Sequence, residues 1–385
     1  MSIKSEVIAL SISNNERTVD IPLYNMYNVI LRNRIDAIGI HMELYINDET
    51  DLKNIMPIKG GEIIHITVLD AHGNQLDKEY KLSNIFAMGS QSDNENPTII
   101  YAIEKDAFDL LFTRKYQNFN DKKISDVIKD LLPKDAEIEE TKNSINMTNP
   151  NWSINKFVQK LSDMAINKKG DISYLFYQDA DGFKFKSLET IIDENKDEAK
   201  DYVFDNYNPD YRYNIIDWLD KSRPDYLANQ VRNVSNNKYV AYDPDEKGFK
   251  STEVKAKDLE NTKLGKGSIQ DEGIRERENT KVVVVDYHGD DDLENTVNNS
   301  IIFRSYNKSM ELLLNFDLEI KVGTVLNLLV PSKNDSTELS NTQAGKWIVK
   351  RLAHQFNTLS AYTKVEVVRN GAYNDTDKQK GKIIE

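Results

Sequence analysis

The sequence contains no cysteine. This absence excludes disulfide bonds, thiolate-ligated zinc and cysteine nucleophiles. Long apolar runs are also missing, since none approaches the ~20 residues that a membrane-spanning helix requires. The stretch Met1–Glu6 has an acidic residue where a secretory signal would begin its apolar core, so export by that route is not expected. The sequence therefore predicts neither membrane insertion nor a disulfide framework.

Basic side chains are in deficit, with 50 Lys and Arg against 63 Asp and Glu and a net charge of −13. Proteins that grip DNA or anionic lipid through charge need a surplus of Lys and Arg, so the balance argues against both activities. The 39% hydrophobic and 29% charged residues are typical of a globular protein. At roughly 100–200 residues per domain, 385 residues predict two to four domains.

Signals for catalysis or metal binding are sparse. No pair of histidines has the i, i+4 spacing that puts two imidazoles on one helix face. His65 and His354 alternate within strand-like patterns, so we expect packed or surface sheet positions rather than ligands. The five histidines are His41, His65, His72, His288 and His354.

Two kinds of loop superficially resemble ligand-binding motifs. Lys263–Ser268 suggests a phosphate loop, but it lacks the four-residue gap before Gly-Lys-Ser/Thr and follows no strand, so we interpret it as a linker. Asp243–Gly248 has glycine at the sixth position of a calcium loop, yet Lys247 and Val254 occupy the fifth and twelfth positions. The segment around Gly182 fits that pattern less well. Both Asp-rich segments are therefore predicted to be turns.

Acidic pairs and clustered tyrosines do not indicate a specific catalytic or ligand-binding role. Glu139–Glu140 and Asp290–Asp292 could act as general acids or bases only with raised pKa values in a desolvated cleft, and charge runs usually face water. The tyrosines could stack on bases or sugars, but without a basic surplus nearby we expect sheet or interface packing. They are Tyr202, Tyr207, Tyr211 and Tyr213. We assign no catalytic, cofactor-binding or metal-binding residue and predict no enzyme and no cofactor; partner-interface residues stay unassigned.

An internal repeat organises the chain. Met42–Asn47 alternates apolar and polar side chains, and a Gly-marked bend precedes the strand-like end of Ile58–Val68. The same order returns in Met310–Asn315 and Ile320–Val330. Two further strand-like runs follow each copy: Glu79–Phe86 and Thr98–Glu104 in the first, Lys346–Phe356 and Tyr362–Arg369 in the second. The repeat predicts two similar antiparallel β-domains, one near each end of the chain.

The segment between the copies changes period. Ser125 and Ser153 are good N-caps for amphipathic helices at about 121–132, ended by Pro133, and about 153–167. A hairpin is predicted over 172–187, where an Asp-Gly step supplies the positive φ of a tight turn. This pattern indicates a small α+β unit.

The rest of the chain is less regular. Tyr211–Asp220 is predicted to be extended, with Trp218 buried. The polar stretch 239–299 resembles an insertion, and only Val282–Val285 is a convincing strand within it. The tail 373–385 is expected to be flexible.

The predicted fold class is α+β, mainly β. We expect two tube-like β-barrel domains, an α+β domain, an inserted polar domain and a tail. Their ranges are 1–104 for the first barrel, 105–204 for the α+β domain, 205–238 with 300–372 for the second barrel, 239–299 for the insertion and 373–385 for the tail.

This order of features resembles the central baseplate hub protein of contractile-tailed bacteriophages. The T-even phage hub is the best-known member, and the base of type VI secretion spike proteins shares its fold. The resemblance extends from about Arg17 to Asn370 and depends on the order of predicted elements and on short sequence segments. The segments that carry it are Glu62–Val68, Trp152–Ala165, Asn315–Val325, Trp347–Phe356 and Ala361–Arg369.

The resemblance implies a structural virion protein of the tail baseplate, assembled in the host cytoplasm. Two similar barrels per chain would form a homotrimeric pseudo-sixfold ring between the hexameric tail tube, or its initiator, and a threefold central spike. Other baseplate proteins are also implied as partners. The sequence ends at Glu385 without the oligonucleotide-fold domain or β-helix of hub–spike fusions, so a separate spike protein is expected. DNA would pass through the ring without specific binding, and a charge of −13 per chain would repel its phosphates.

Two alternatives stay open. One is a tail-associated carbohydrate-binding or peptidoglycan-degrading component, which would need a cleft with a raised-pKa carboxylate pair and exposed aromatic residues. The other is the equivalent hub of a phage-derived contractile injection particle.

Overall fold

A computed structural model of the chain describes most residues from Ser5 to Arg369. Within that part of the chain, no helix is both long and apolar enough to cross a bilayer. The described ranges are 5–49, 51–87, 96–171, 173–204, 211–221, 237–243, 246–254, 281–284, 308–332, 338–340, 342–357 and 360–369.

A 13-stranded sheet forms the body of the protein. The first seven strands, which we call the first β unit, are β1 (Glu6–Ser13), β2 (Thr18–Asp20), β3 (Met26–Arg34), β4 (His41–Asn47), β5 (Ile63–Leu69), β6 (Gln75–Ala87) and β7 (Pro97–Glu104). The second β unit contains β13 (Lys200–Val203), β14 (Ile215–Asp220), β18 (Lys308–Asn315), β19 (Val325–Leu329), β20 (Gly345–Asn357) and β21 (Ala361–Arg369). The prediction of a mainly β fold is confirmed.

The two β units share hydrogen bonds but have separate hydrophobic cores. Strand β3 pairs with β20 in antiparallel fashion and so merges the units into one sheet. Alternate residues of each strand point into the core, as Met42, Leu44 and Ile46 do in β4. Leu312 and Leu314 do the same in β18, beneath the second unit. The internal repeat predicted two β-domains, but the continuous sheet that joins them was not predicted.

The predicted internal repeat is confirmed at the level of strand register. The first unit has the order β4-β7-β6-β5 and the second has β18-β21-β20-β19, with every neighbouring pair antiparallel. Met42 faces Ala102 in one unit, and Met310 faces Val367 in the other. The repeat also includes β3 and β14, which pair with β4 and β18.

A glycine bend precedes β5 and β19 at equivalent positions. Gly61 has φ +88° and Gly323 has φ +86°, a region that L side chains rarely adopt. The Gly61 N–H donates to the Leu82 carbonyl at 2.8 Å, and the Gly323 N–H donates to the Val349 carbonyl at 2.8 Å. The matching dihedrals and bonds show that the duplication includes the connection before the strand as well as the strands.

Residues 105–187 follow the first unit and form an α/β block. Its helices are α2 (Lys105–Phe112), α3 (Ile124–Leu131) and α4 (Ile154–Ser162), and its strands are β8 (Arg114–Lys123), β9 (Glu137–Ile138), β10 (Ser144–Ser153), β11 (Tyr174–Asp179) and β12 (Gly182–Ser187). The first unit also has the short helix α1 (Leu52–Ile55) and a 3-10 turn at Leu23–Asn25. The predicted hairpin is confirmed as β11–β12, with Gly182 at φ +134° in its turn.

The two predicted helices of this block differ in detail from the structure. Ser153 caps α4 as predicted, because its hydroxyl accepts the Lys156 N–H at 3.3 Å. The α4 helix ends at Ser162 rather than near 167. Beyond it, the Asn143 side chain donates to the Met164 carbonyl and accepts from the Ile166 N–H, so these backbone groups do not make the bonds of a longer helix. The α3 cap was predicted wrongly: Lys123 occupies that position.

Ser125 instead lies buried in the first turn of α3. Its N–H donates to the Thr141 hydroxyl at 3.0 Å. A side chain 16 residues away along the sequence therefore supplies the acceptor that a local cap would have provided.

Residues 188–203 belong with the second β unit rather than with the α/β block. Helix α5 (Leu188–Asn195) places Leu188, Ile191 and Ile192 in the second core, and β13 pairs in parallel with β19. The expected boundary near 204 therefore falls after a strand that is already part of the second unit.

The insertion lies between β14 and β18. The described residues there form a small sheet of β15 (Asn237–Asp243), β16 (Gly248–Val254) and β17 (Lys281–Val284). The strand at Val282–Val284 was predicted, and the β15–β16 hairpin was not. In the first unit the equivalent strands β3 and β4 are joined by the short loop 35–40. Lys263–Ser268, His288, Asp290–Asp292 and the predicted tail 373–385 lie outside the described residues.

The two glycine bends allow a matched test. We expect Gly61→Ala to lower the free energy of unfolding by about 1–2 kcal/mol, because alanine is strained at positive φ. Gly323→Ala should cost about 1 kcal/mol more, because its Cβ would lie 3.0 Å from Ile191 Cγ2, whereas the space beside Gly61 is open. Urea unfolding of both variants measures the difference. Equal losses would contradict the packing of α5 against the second bend.

Candidate assembly surface

The junction between the two β units shows how one unit binds another. Seven residue pairs connect β3 and β20, from Arg351 opposite Arg34 to Asn357 opposite Asn28. On the core side of the junction, Val29, Leu31 and Phe356 are fully or almost fully buried. Backbone pairing on one edge and apolar packing beneath it therefore stabilise this junction together.

His354 is a buried polar residue within the junction. It lies opposite Leu31, and its Nδ1 is 3.0 Å from the Thr363 hydroxyl. Burial lowers the pKa of His354 to about 4, although the negative charges of Asp317 and Asp70 oppose the shift. The imidazole is therefore neutral near pH 7.

Two strand edges equivalent to those of the junction have no second neighbouring strand among the described residues. Strand β14 ends the sheet, with only β18 beside it. Residues 84–87 of β6 pair with β7 on one side, while the pairing of β6 with β5 stops at Lys81. Large apolar side chains are exposed at both edges: Phe86 is 49% exposed and Leu219 is 57% exposed. Trp218 of β14 is only partly buried, contrary to the sequence prediction. An exposed apolar strand edge is a template for pairing with another chain.

Ion pairs repeat on the solvent side of the sheet. Arg32 binds Glu43 with its Nε 2.9 Å from Oε1, and at the equivalent place in the second unit Lys221 pairs with Glu311. Lys364 also pairs with Glu311. Burial alone would raise the pKa of Glu311, but hydrogen bonds and charges from Lys221 and Lys364 outweigh it and hold that pKa below its usual range.

The glutamate of β21 on this side is also paired: Glu366 lies 3.4 Å from Arg351. Each glutamate on the solvent side of β4, β18 and β21 therefore has a basic neighbour. The acidic surplus of the chain does not lie on this face of those strands, and the net charge of −13 gives no measure of its local field.

A buried polar contact attaches the α/β block to the core side of the sheet. The Gln178 amide donates to Glu104 Oε2 at 2.7 Å and accepts from the Gly39 N–H at 3.1 Å. The Gln178 carbonyl accepts from Asn33 Nδ2 at 2.9 Å. Because Glu104 also caps α2 through the Ala107 N–H, one glutamine connects a hairpin, a helix and the first β unit. On the opposite face of the sheet, the side chains of Arg32, Arg34 and Arg351 are about half exposed.

A partly buried ionic network lies beside the clustered tyrosines. Arg212 binds Asp317 through two bonds of 2.7 and 2.8 Å and also lies 2.7 Å from Glu319. The rings of Tyr202, Tyr211 and Tyr213 pack edge to face in sequence, 5.4 and 5.8 Å apart. Packing was the expected role for these residues, and it is confirmed for the three that are described.

The acidic candidates serve structural roles. Glu139 accepts the Ser187 N–H at 2.7 Å and the Thr190 hydroxyl at 2.8 Å at the start of α5, which the sequence did not predict. Glu140 faces solvent and pairs with Lys168 at 2.5 Å. In the cleft between hairpin β11–β12 and the 320–325 loop, burial alone would raise the pKa of Asp181. The hydrogen bonds and charges of Lys321 and nearby lysines nevertheless lower it.

Where the surroundings shift a carboxyl pKa among the described residues, they lower it. None of these carboxyl groups has the raised pKa that a glycosidase-type component would need.

The histidine and turn predictions are also resolved. His65 lies on strand β5 with its Nε2 2.5 Å from Asp77, and His354 is packed in β20, as expected for sheet residues. Asp243 is buried and pairs with Lys250 at 2.9 Å in the β15–β16 hairpin, which confirms a turn there. No group of three or more metal-ligating side chains occurs within the described ranges.

The pKa of His354 predicts an acid-sensitive junction. Its folded pKa of about 4 lies below the ordinary value of 6.5, so the unfolded chain binds a proton first as the pH falls. The contribution of neutral His354 to the free energy of unfolding is complete above pH 6.5 and is lost as the pH falls from 6.5 to 4. Between pH 7 and 5 the protein therefore loses about 2 kcal/mol of unfolding free energy. We expect His354→Gln to remove that part of the pH dependence in urea unfolding. The exposed control His72→Gln should keep it, and an unchanged slope in His354→Gln would contradict the assignment.

Comparison with solved structures identifies the fold. A tail protein from Neisseria meningitidis MC58 has a TM-score of 0.59 and 9% identity, with 96% of this chain and 98% of that chain covered. The 43 kDa tail protein of prophage MuSo2 from Shewanella oneidensis has a TM-score of 0.57 and 9% identity, covering 95% and 99%. A chain of the Francisella PdpA-VgrG complex has a TM-score of 0.52 and 12% identity, covering 95% of this chain and 58% of that one.

No protein-family model matches the sequence, and no curated protein matches it. The structural matches, which extend over nearly the whole chain, show a fold rather than a shared sequence family. The chain has the fold of phage tail proteins, and the resemblance to a baseplate hub is confirmed at the level of that fold.

Proposed function

We propose that the protein is the central hub of a contractile tail baseplate, a structural component without catalysis or cofactor. The observation that supports this most strongly is the duplicated β unit with its repeated register. Three chains with two equivalent units each would present six similar units, which fits a sixfold tube on one side and a threefold spike on the other. In this proposal the homotrimer is the working state.

The proposed partners are the tail tube or its initiator, a central spike protein and other baseplate proteins. The Francisella neighbour is a complex of PdpA with VgrG, and this supports a spike-type partner by analogy of fold alone. Because the neighbours include a prophage tail protein as well as that complex, the proposal includes the hub of a phage tail and that of a phage-derived injection particle.

The proposed domain division keeps the first tube-like unit at 1–104 and the insertion at 239–299. The α/β domain becomes 105–187, because helix α5 and strand β13 pack and pair with the second unit. The second tube-like unit then includes residues 188–238 and 300–372.

We propose that the solvent face of the sheet lines a passage for DNA. Its glutamates and basic residues neutralise one another in pairs such as Arg32–Glu43. A face of balanced charge has little net field to hold phosphate, so DNA could slide past it. This reason replaces the expectation that the overall acidity alone repels DNA.

Mass in solution tests the hub. We expect a species of three times 44.3 kDa, either alone or once a tube or spike protein is added. Native mass spectrometry of the full chain, with and without those partners, measures it. A chain that stays monomeric in every mixture would remove the proposal.

The same protein samples test whether the proposed passage leaves DNA unbound. We expect no binding of a short duplex DNA at about 10 μM protein and 150 mM salt, because the basic residues of the face are already paired. Fluorescence anisotropy measures binding. Tight binding that weakens steeply with added salt would contradict a passage that DNA crosses freely.

A further inference from the structure

We propose that the cavity beneath the β3–β20 junction binds a medium-chain aliphatic carboxylate, whose carboxylate group bonds Lys78 and His354 while its alkyl chain packs against leucine side chains. The inference goes beyond the proposed function, because it concerns a small-molecule site within one chain rather than the assembly of the hub. It depends on two hydrogen-bond donors that line the cavity without an acceptor among the described residues.

The cavity lies where three parts of the chain meet. Its volume is about 510 Å³, which is within the range of small-molecule pockets. Residues of β3 and β6 line it from the first unit, residues of β20 and the loop 318–321 line it from the second, and the turn of hairpin β11–β12 contributes the rest. Asp77 and Asp181 also line it, and because their side chains are more than half exposed, the cavity opens to solvent there.

Aliphatic side chains form much of the cavity wall. Leu31 and Leu76 belong to the first unit, and Leu318 and Leu352 belong to the second. Leu31, Leu76 and Leu352 are buried in the protein. Transfer of an alkyl chain from water to such a wall is favourable, so this part of the cavity suits an aliphatic group.

Lys78 is a basic residue on the core side of β6. Alternation along the strand places it on the same face as Leu76 and Tyr80, both of which are buried. Lys78 is itself partly buried, and it makes no hydrogen bond or ion pair with any described residue. An ammonium group beside apolar walls loses part of its hydration, so an anion in the cavity would supply the partner that it lacks.

The other charged side chains of the cavity already have partners. Each of its four carboxylates lies 2.5 to 2.9 Å from a basic side chain. The pairs are Asp77–His65, Asp179–Lys184, Asp181–Lys321 and Glu319–Arg212. Within the described part of the chain, Lys78 is therefore the one charged group of the lining without an ion pair.

The contacts of His354 determine which ring nitrogen carries its proton. Its Nδ1 lies 3.0 Å from the hydroxyl of Thr363, which is fully buried. That hydroxyl oxygen accepts the Asp317 N–H at 3.3 Å, and among the described residues His354 Nδ1 is the one acceptor for the hydroxyl proton. Because Nδ1 accepts this bond, the neutral imidazole carries its own proton on Nε2.

The Nε2–H of His354 has no acceptor among the described residues, and His354 lines the cavity. The two unpartnered groups of the lining, this N–H and the Lys78 ammonium, are therefore both donors, and one of them is charged. A carboxylate has two oxygens that accept hydrogen bonds and a charge opposite to that of Lys78. Together with the leucine wall, these donors select a carboxylate on an aliphatic chain.

Calorimetric titration of the full chain with three probes of equal chain length tests the site. The probes are octanoate, 1-octanol and octylammonium. We expect octanoate to bind one site per chain with a Kd below about 1 mM. 1-Octanol should bind at least about tenfold more weakly because it lacks the charge that pairs with Lys78, and octylammonium should not bind.

Two lysine variants locate the binding. Lys78→Met removes the ammonium group and keeps an apolar stem, so we expect octanoate to bind at least about tenfold more weakly and 1-octanol to bind as before. Lys81→Met is the matched control, because Lys81 lies on the same strand but pairs with Asp109 outside the cavity. Its octanoate Kd should equal that of the unmodified chain. If Lys78→Met fails to fold, the three probes on the unmodified chain still decide.

Four results would overturn the proposal. They are no binding of octanoate, equal affinity for octanoate and 1-octanol, tighter binding of octylammonium, and octanoate binding that a folded Lys78→Met variant retains in full. The first two would show that the donors do not select an anion, the third that the carboxylates dominate, and the fourth that the site lies elsewhere. None of these titrations contains a partner protein, so the hub proposal stands or fails separately.

Discussion

The antiparallel pairing of β3 with β20 is the interaction on which the rest of the structure depends. It joins the edge of one β unit to the edge of another, so two cores built from distant parts of the chain lie beneath one sheet. The junction buries a neutral histidine and apolar side chains that neither unit could cover alone. Among the described residues, two edges of the repeated strands have no neighbouring strand, one at β14 and one at residues 84–87 of β6.

The duplicated units have the same strand order and backbone geometry and differ in the contacts of their side chains. Equivalent glycine bends precede β5 and β19, yet only Gly323 packs against a helix. The strands β7 and β21 are equivalent, and each ends in a buried charged residue, which is acidic in β7 and basic in β21. Glu104 caps α2 and binds Gln178, while Arg369 donates to the carbonyls of Ala344 and Thr342. Repetition of backbone geometry with different side chains would give a hub two similar docking units and distinct surfaces for other partners.

Local patterns predicted the strands and the repeat, because period-two alternation depends on neighbouring residues alone. Met42 and Met310 align in register as the strings suggested, and Ser153 caps its helix as its position predicts. Errors arose where distant residues decide the outcome. Thr141 takes the role expected of Ser125, and Asn143 ends α4 early. The pairing of β3 with β20 connects residues more than 300 positions apart, and the exposed edges become visible only once that pairing is known.

The central claim is that one chain supplies two equivalent units that alternate around a ring. Electron cryo-microscopy of the assembled particle, reconstructed without imposed symmetry, measures this most directly. The account predicts threefold symmetry and six similar β units around the ring. A ring without threefold symmetry, or one in which the two β units of a chain do not occupy similar positions, would contradict it.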